Sequence, residues 1–253
     1  MSPIQELLKE KKAFIGYMTA GFSGVKDSIK YALALEKGGV DILELGIPFS
    51  DPIGDGPLLQ ESHEKALKNG ITPDDVVTIA EGVREKSDIP IVLMSYYNPV
   101  LQGGEKFIKK AKKAGVDAFL IVDFPLEESD MLYNNLKKHG LDTIFLVTPD
   151  TSDKRLKKIA ERTSSFIYLV SRRGTTGAKN TLPKNLLSTI TDCKRKSKRP
   201  VAVGFGISQK KDAATILQKA DGFIVGSKIM DYLHKKPPVK DVIAFIKRLD
   251  PRG

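Results

Sequence analysis

Short apolar runs alternate with longer amphipathic segments along the whole chain, and the alternation repeats eight times. The runs are Ala13–Thr19, Val40–Leu45, Ile89–Ser95, Asp117–Asp123, Thr143–Thr148, Ser165–Ser171, Pro200–Val203 and Gly222–Val225. Each is too short for an ordinary helix and reads as a buried strand. Between and after them, helices are expected at Val25–Lys37, Thr72–Lys86, Gly104–Ala114, Glu128–Lys138, Asp153–Arg162, Pro183–Lys194, Ser208–Gln218 and Val239–Arg248. No linker or low-complexity stretch divides the pattern, so residues 1–253 read as one α/β domain. Eight strand–helix units in about 250 residues point to a (β/α)8 barrel of the TIM type. An open doubly wound sheet is the alternative, but no Gly-x-Gly-x-x-Gly opens a helix after the first strand.

Composition narrows the setting. With 41% apolar residues in 253 the chain can bury a full core, and no run of eighteen apolar residues suggests a membrane span. The first residues lack the apolar core of a secretory signal, and the lone Cys193 forms no internal disulfide; both fit a reducing cytoplasm. A net charge of +10 could mark nucleic-acid binding. Its distribution argues otherwise: lysines are scattered, the densest run, Lys194–Arg199, precedes a strand as a helix C-terminus would, and there is no tryptophan for base stacking. Neither a nucleic acid nor a membrane is an expected partner.

In a barrel the chemistry sits at the carboxyl ends of the strands, here Thr19, Glu44, Ser95, Asp123, Thr148, Ser171, Gly204 and Gly226. No strand ends on lysine, which speaks against Schiff-base chemistry. His63, His139 and His234 have no paired metal-ligand spacing and read as structural or exposed, so no metal is expected. What remains is acid/base work by carboxylates. Glu44 interrupts an apolar run where an unpaired charge is costly, and the Gly/Pro-rich loop after it carries Asp51 and Asp55. Glycine-bearing turns at Gly174–Gly177, Gly204–Ser208 and Gly226–Ser227 let backbone amides approach an anion, as phosphate-binding barrels do after their last strands, with Ser227–Tyr232 as a short extra helix.

The residues Leu43-Glu44-Leu45-Gly46-Ile47-Pro48-Phe49-Ser50-Asp51-Pro52, closing with Asp55-Gly56-Pro57, give the chain a specific resemblance to the α subunit family of tryptophan synthase. Tyr96-Tyr97-Asn98-Pro99, Ser171-Arg172 and Gly204-Phe205-Gly206-Ile207 extend it over essentially the full length. The resemblance implies a carbon–carbon lyase that cleaves indole-3-glycerol phosphate to indole and glyceraldehyde 3-phosphate for tryptophan biosynthesis. It places the catalytic pair on Glu44, as proton shuttle, and Asp55, as acceptor of the indole N–H. Tyr17 would lie beside the indole and Tyr168 near Glu44, while Gly177, Gly204, Gly206, Gly226 and Ser227 would hold the phosphate.

By the same resemblance the chain would work in an α2β2 tetramer, with no cofactor of its own and pyridoxal phosphate in the β subunit. Partner contacts would fall on Asp51, Pro52 and Pro57, on Asn98 and Pro99, and on the Gly174–Thr181 loop. Two positions depart from the family pattern: Gly54 stands where alanine is common, which could loosen Asp55, and Thr175-Thr176 replaces Val-Thr. Two other readings stay open. One is a catalytically weak scaffold that activates β; the other is a different phosphate-binding barrel enzyme.

Overall fold

The computed structural model describes residues 1–253 apart from 125, 128, 129, 172–181, 205 and 208. In chain order its elements are α1 (Pro3–Glu10), β1 (Ala13–Thr19), α2 (Val25–Gly38), β2 (Ile42–Gly46), α3 (Pro57–Lys68), α4 (Pro73–Arg84), β3 (Ile91–Ser95) and α5 (Tyr97–Lys113). They continue with β4 (Ala118–Ile121), α6 (Asp130–Lys138), β5 (Asp142–Val147), α7 (Asp153–Arg162), β6 (Ile167–Val170) and α8 (Leu186–Ser197). Last come β7 (Val201–Gly204), α9 (Lys210–Ile216), β8 (Gly222–Val225), α10 (Ser227–Leu233) and α11 (Val239–Leu249). The strands are parallel and close in sequence order, with β8 pairing back onto β1. The expected (β/α)8 barrel is therefore the observed one.

Alternation along the strands sorts their side chains into two cores. Leu43 and Leu45 of β2 face outward into the layer shared with the helices, whereas Ile42 faces inward with Ile15, Val92, Leu120, Ile144, Phe166 and Ile224. Helix α1, absent from the expected elements, plugs the amino-terminal floor. Ser2 caps it, Pro3 occupies its first turn, and Ile4 enters the inner cluster with no exposed surface. The Ser2 hydroxyl bonds Asp142, and Gln5 Nε2 donates to the Ser164 carbonyl at 2.8 Å, tying the plug to β5 and the turn before β6.

Helix α3 was also unexpected, because the Gly/Pro signature before it reads as loop; Pro57 in its first turn is the start signal. Helix α5 begins at Tyr97 rather than Gly104, whose φ of 56° kinks it. The expected starts of α6 at Glu128 and α9 at Ser208 lie outside the described residues. The basic run ends α8, where Lys194 pairs with Asp221 at 2.7 Å and Lys196 with Asp153 at 2.6 Å. Among the described residues no helix is long and apolar enough to cross a membrane.

Because Ile4 fills the barrel floor, Ile4→Ala should open a cavity against the inner cluster and cost about 2–5 kcal/mol of stability. Thermal unfolding would register this as a Tm lower by several degrees, with the carboxyl-end site unaffected.

Candidate active site

Glu44 does not end its strand, as the sequence suggested; β2 runs on to Gly46. It points inward one layer below the mouth, registered beside Tyr17 of β1 and Val92 of β3. Only 2% of its surface is exposed, and its Oε1 has no hydrogen-bond partner. Burial first, and the charge of Asp55 second, push its carboxyl up to about 8. At neutral pH Glu44 therefore carries a proton.

Asp55 approaches from the β2–α3 loop, near enough for its charge to act on Glu44. A tight turn, in which the Ile53 and Asp55 amides donate to the Asp51 and Pro52 carbonyls, leaves Ile53 at 77% exposure and sends Asp55 inward to 2%. The Tyr96 hydroxyl, just past β3, donates to Asp55 Oδ2 at 2.8 Å and accepts from the Gly54 amide at 3.0 Å. Phe49 stacks on the Tyr96 ring with centroids 5.1 Å apart. The departure at Gly54 therefore leaves no slack. A Cβ there would stand 2.9 Å from Val122 Cγ1 and 3.2 Å from the Tyr96 oxygen.

Two buried tyrosines close the mouth around the acids. Tyr17 leans across Gly46, with its hydroxyl 3.0 Å from Thr19 Oγ1, and Tyr168 leans across Gly204. In each case the tyrosine oxygen occupies the space a Cβ on the facing glycine would need. Burial, then the charges of Asp55 and Glu44, raise both phenols well above their ordinary range, so both remain protonated. Gly204 is thus required by the Tyr168 ring, a packing reason independent of any ligand.

The other expected ligand-binding positions follow. Gly226 caps α10, Ser227 opens it, and both are half-buried; a Cβ on Gly226 would stand 3.3 Å from the Tyr17 ring. Gly206 has a φ of 80°, the left-handed region that suits glycine. Gly177, Thr175 and the rest of the Gly174–Thr181 loop lie outside the described residues. The expected partner residues stand on the rim: Asp51, Pro57 and Asn98 are exposed, and Pro52 and Pro99 are half-buried. Phe49, Asp51, Pro52, Ile53, Pro57 and Leu67 line a groove of about 680 Å³ there.

Two site residues are not marked by the sequence: Tyr96 belongs to a motif with no role attached to it, and His63 reads as structural or exposed, yet His63 lies 3% exposed with Nε2 3.4 Å from Asp55 Oδ2. Its position eight residues after Asp55, on the buried face in the middle of an amphipathic helix, was the available signal, but it required knowing that α3 starts at Pro57. Cys193 is buried in α8, and burial pushes its thiol up to about 11, away from nucleophilic use. Among the described residues no group of three or more His, Cys, Asp or Glu could hold a metal ion.

Comparison with known proteins matches residues 4–248 to the tryptophan synthase alpha chain family. The chain belongs to that family. The alpha chain of Chlamydia felis is 42% identical over 256 residues, covering all of both chains. That of Coxiella burnetii strain CbuK_Q154 is 44% identical over 227 residues, covering 90% of this chain and 89% of its own. A chain from the structure of the tryptophan synthase α2β2 complex of Pyrococcus furiosus superposes with a TM-score of 0.88 at 38% identity, covering 94% of this chain and 98% of that one. Membership makes the protein a carbon–carbon lyase of tryptophan biosynthesis.

The raised carboxyl of Glu44 has a consequence for stability. An unfolded chain releases this proton near the ordinary carboxylate value, whereas the folded chain keeps it to about 8. Between those limits the native state binds more protons, so this group lowers stability as pH rises and adds nothing further above its folded value. Glu44→Gln removes the effect. Its Tm relative to wild type should climb between pH 5 and pH 8.5; a constant difference would mean that Glu44 titrates normally.

Proposed function

We propose that this chain cleaves indole-3-glycerol phosphate to indole and glyceraldehyde 3-phosphate, with Glu44 as the acid/base and Asp55 as the electrostatic stabiliser. One observation carries the reading: a buried glutamic acid with an unpartnered oxygen, protonated to about 8, is coupled electrostatically to a second buried acid, Asp55, held by Tyr96. A proton-bearing glutamic acid beside a second acid oriented by a hydrogen bond can divide the acid and stabilising roles with it.

The reaction needs a proton on indole C3, stabilisation of the positive charge that spreads to the ring nitrogen, and removal of a proton from the adjacent side-chain hydroxyl. Glu44 gives its proton to C3. Asp55 accepts a hydrogen bond from the indole N–H and offsets the charge. The carboxylate left on Glu44 then takes the hydroxyl proton as the carbon–carbon bond breaks and the aldehyde forms. The proton returns to Glu44 and the cycle balances. Tyr17 and Tyr168 supply apolar walls near both acids. The amides at Gly204, Gly206, Gly226 and Ser227 are the proposed donors to the phosphate, and Gly177 is assigned to the same end by family resemblance alone.

The proposed partner is a β subunit in an α2β2 assembly. Supporting this, the Pyrococcus furiosus relative belongs to such a complex, and the apolar Ile53 stands exposed on the loop that carries Asp55. Pyridoxal phosphate would reside in that subunit. A partner pressing on Asp51, Pro52, Pro57, Asn98 and Pro99 would bear directly on the placement of Asp55 and so couple association to turnover.

Glu44→Gln should abolish indole release while leaving substrate affinity within a few-fold, and Asp55→Asn should lower turnover at least ~100-fold. Retained turnover in the first variant would remove Glu44 from the mechanism. Asp51→Ala should reduce stimulation by β yet keep basal cleavage, whereas Asp55→Ala should stop cleavage while β still binds. Wild type that never releases indole, even with saturating β, yet accelerates the β reaction, would establish the scaffold reading instead.

A further inference from the structure

Four buried side-chain polar atoms lack hydrogen-bond partners among the described residues: Ser23 Oγ, Glu44 Oε1, His63 Nε2 and Ser165 Oγ. Two of them belong to residues around Asp55. An orphaned polar atom costs stability, and its persistence beside a reacting group needs a reason. For Glu44 the reason is the proton it donates. His63 has no place in that chemistry.

The tautomer of His63 follows from its neighbours. The Phe49 amide donates to Nδ1 at 3.2 Å, so Nδ1 is the accepting nitrogen and the neutral ring carries its proton on Nε2. That N–H stands 3.4 Å from Asp55 Oδ2, close but not aligned as a formed hydrogen bond. The same oxygen accepts the Tyr96 hydroxyl at 2.8 Å from a different element. Contacts of this length in an unliganded site commonly tighten when substrate arrives.

We infer that His63 is a positioning residue for Asp55, a role that rests on the lyase reading above: its Nε2–H and the Tyr96 hydroxyl converge on Oδ2 and fix the rotation of the carboxylate. With that rotation set, Oδ1 has a defined direction, and the indole N–H meets a carboxylate already oriented. The Phe49 amide completes the device by holding the ring in the donating tautomer. Because Phe49 also stacks on Tyr96, both donors to Oδ2 depend on the same loop residue.

Two substitutions separate the contacts. His63→Asn places a side-chain oxygen where Nδ1 stands and keeps the Phe49 contact, but falls short of Asp55. His63→Gln reaches the position of Nε2 and restores a donor. Asparagine should lower kcat for indole release at least ten-fold with KM within about three-fold, and glutamine should recover kcat to within three-fold of wild type. In an Asp55→Asn background the asparagine substitution should cost less than two-fold, because the group it positions has gone. In the ¹⁵N spectrum of wild type, His63 should show a protonated Nε2 that shifts on Asp55→Asn.

Unchanged kcat in His63→Asn overturns the proposal. So does a glutamine variant as impaired as asparagine at equal Tm, or a full loss in the Asp55→Asn background. If wild type releases no indole, the lyase reading fails. The ¹⁵N signature and its response to Asp55→Asn then judge the contact by itself, and an Nδ1-protonated ring would refute it.

Discussion

A buried carboxylic acid with one oxygen left unpartnered is the constraint around which the carboxyl end of this barrel is arranged. Ionising Glu44 in place means holding a charge among Tyr17, Val92 and the inner apolar layer with one oxygen unpaired. The group keeps its proton instead, to about 8. A parallel barrel is suited to such a position, since its interior is a packed core whose backbone groups are consumed by the strand ladder and have nothing left to offer a side chain. Strand alternation turns the acid into the barrel interior.

Asp55 is treated in the opposite way. It sits on a loop, equally buried, but supplied with the Tyr96 hydroxyl and faced by the His63 ring. The loop is tied by its own turn and by the Gly54 amide on Tyr96, so the carboxylate is placed by the turn, by the residue after β3 and by α3 together. Each contact is local and modest, yet a shift in any one of them would turn the carboxylate. Exposed residues of the same loop, Asp51 and Ile53, offer an outside surface that can bear on this arrangement.

The two tyrosine–glycine pairs explain how such a mouth can be both filled and open. Tyr17 over Gly46 and Tyr168 over Gly204 each lean onto a neighbouring strand where a Cβ is missing. Glycine at these strand ends is a packing requirement as well as a way of bringing amides near a ligand.

Much of this was legible in the chain itself. Short continuous apolar runs and the strand–helix rhythm identified the barrel, because both faces of a parallel strand must be apolar and each crossover needs a helix. Glu44 announced itself as a charge inside an apolar run, and Asp55 as part of a family motif. Helix α1 was missed although Ser2, Pro3 and the spacing of Ile4, Leu7 and Leu8 marked it, since a single amphipathic helix carries no sign of which surface it will cover. His63 and Tyr96 were beyond reach for a different reason. Their meaning lies in distances to Asp55, and those are set by the closure of the barrel, which brings the middle of α3 and the residue after β3 to one carboxylate. The chain alone determined which residues could be buried and which carried chemistry; tertiary structure decided which polar atoms met, because hydrogen-bond geometry is a property of packed elements and not of spacing along the chain.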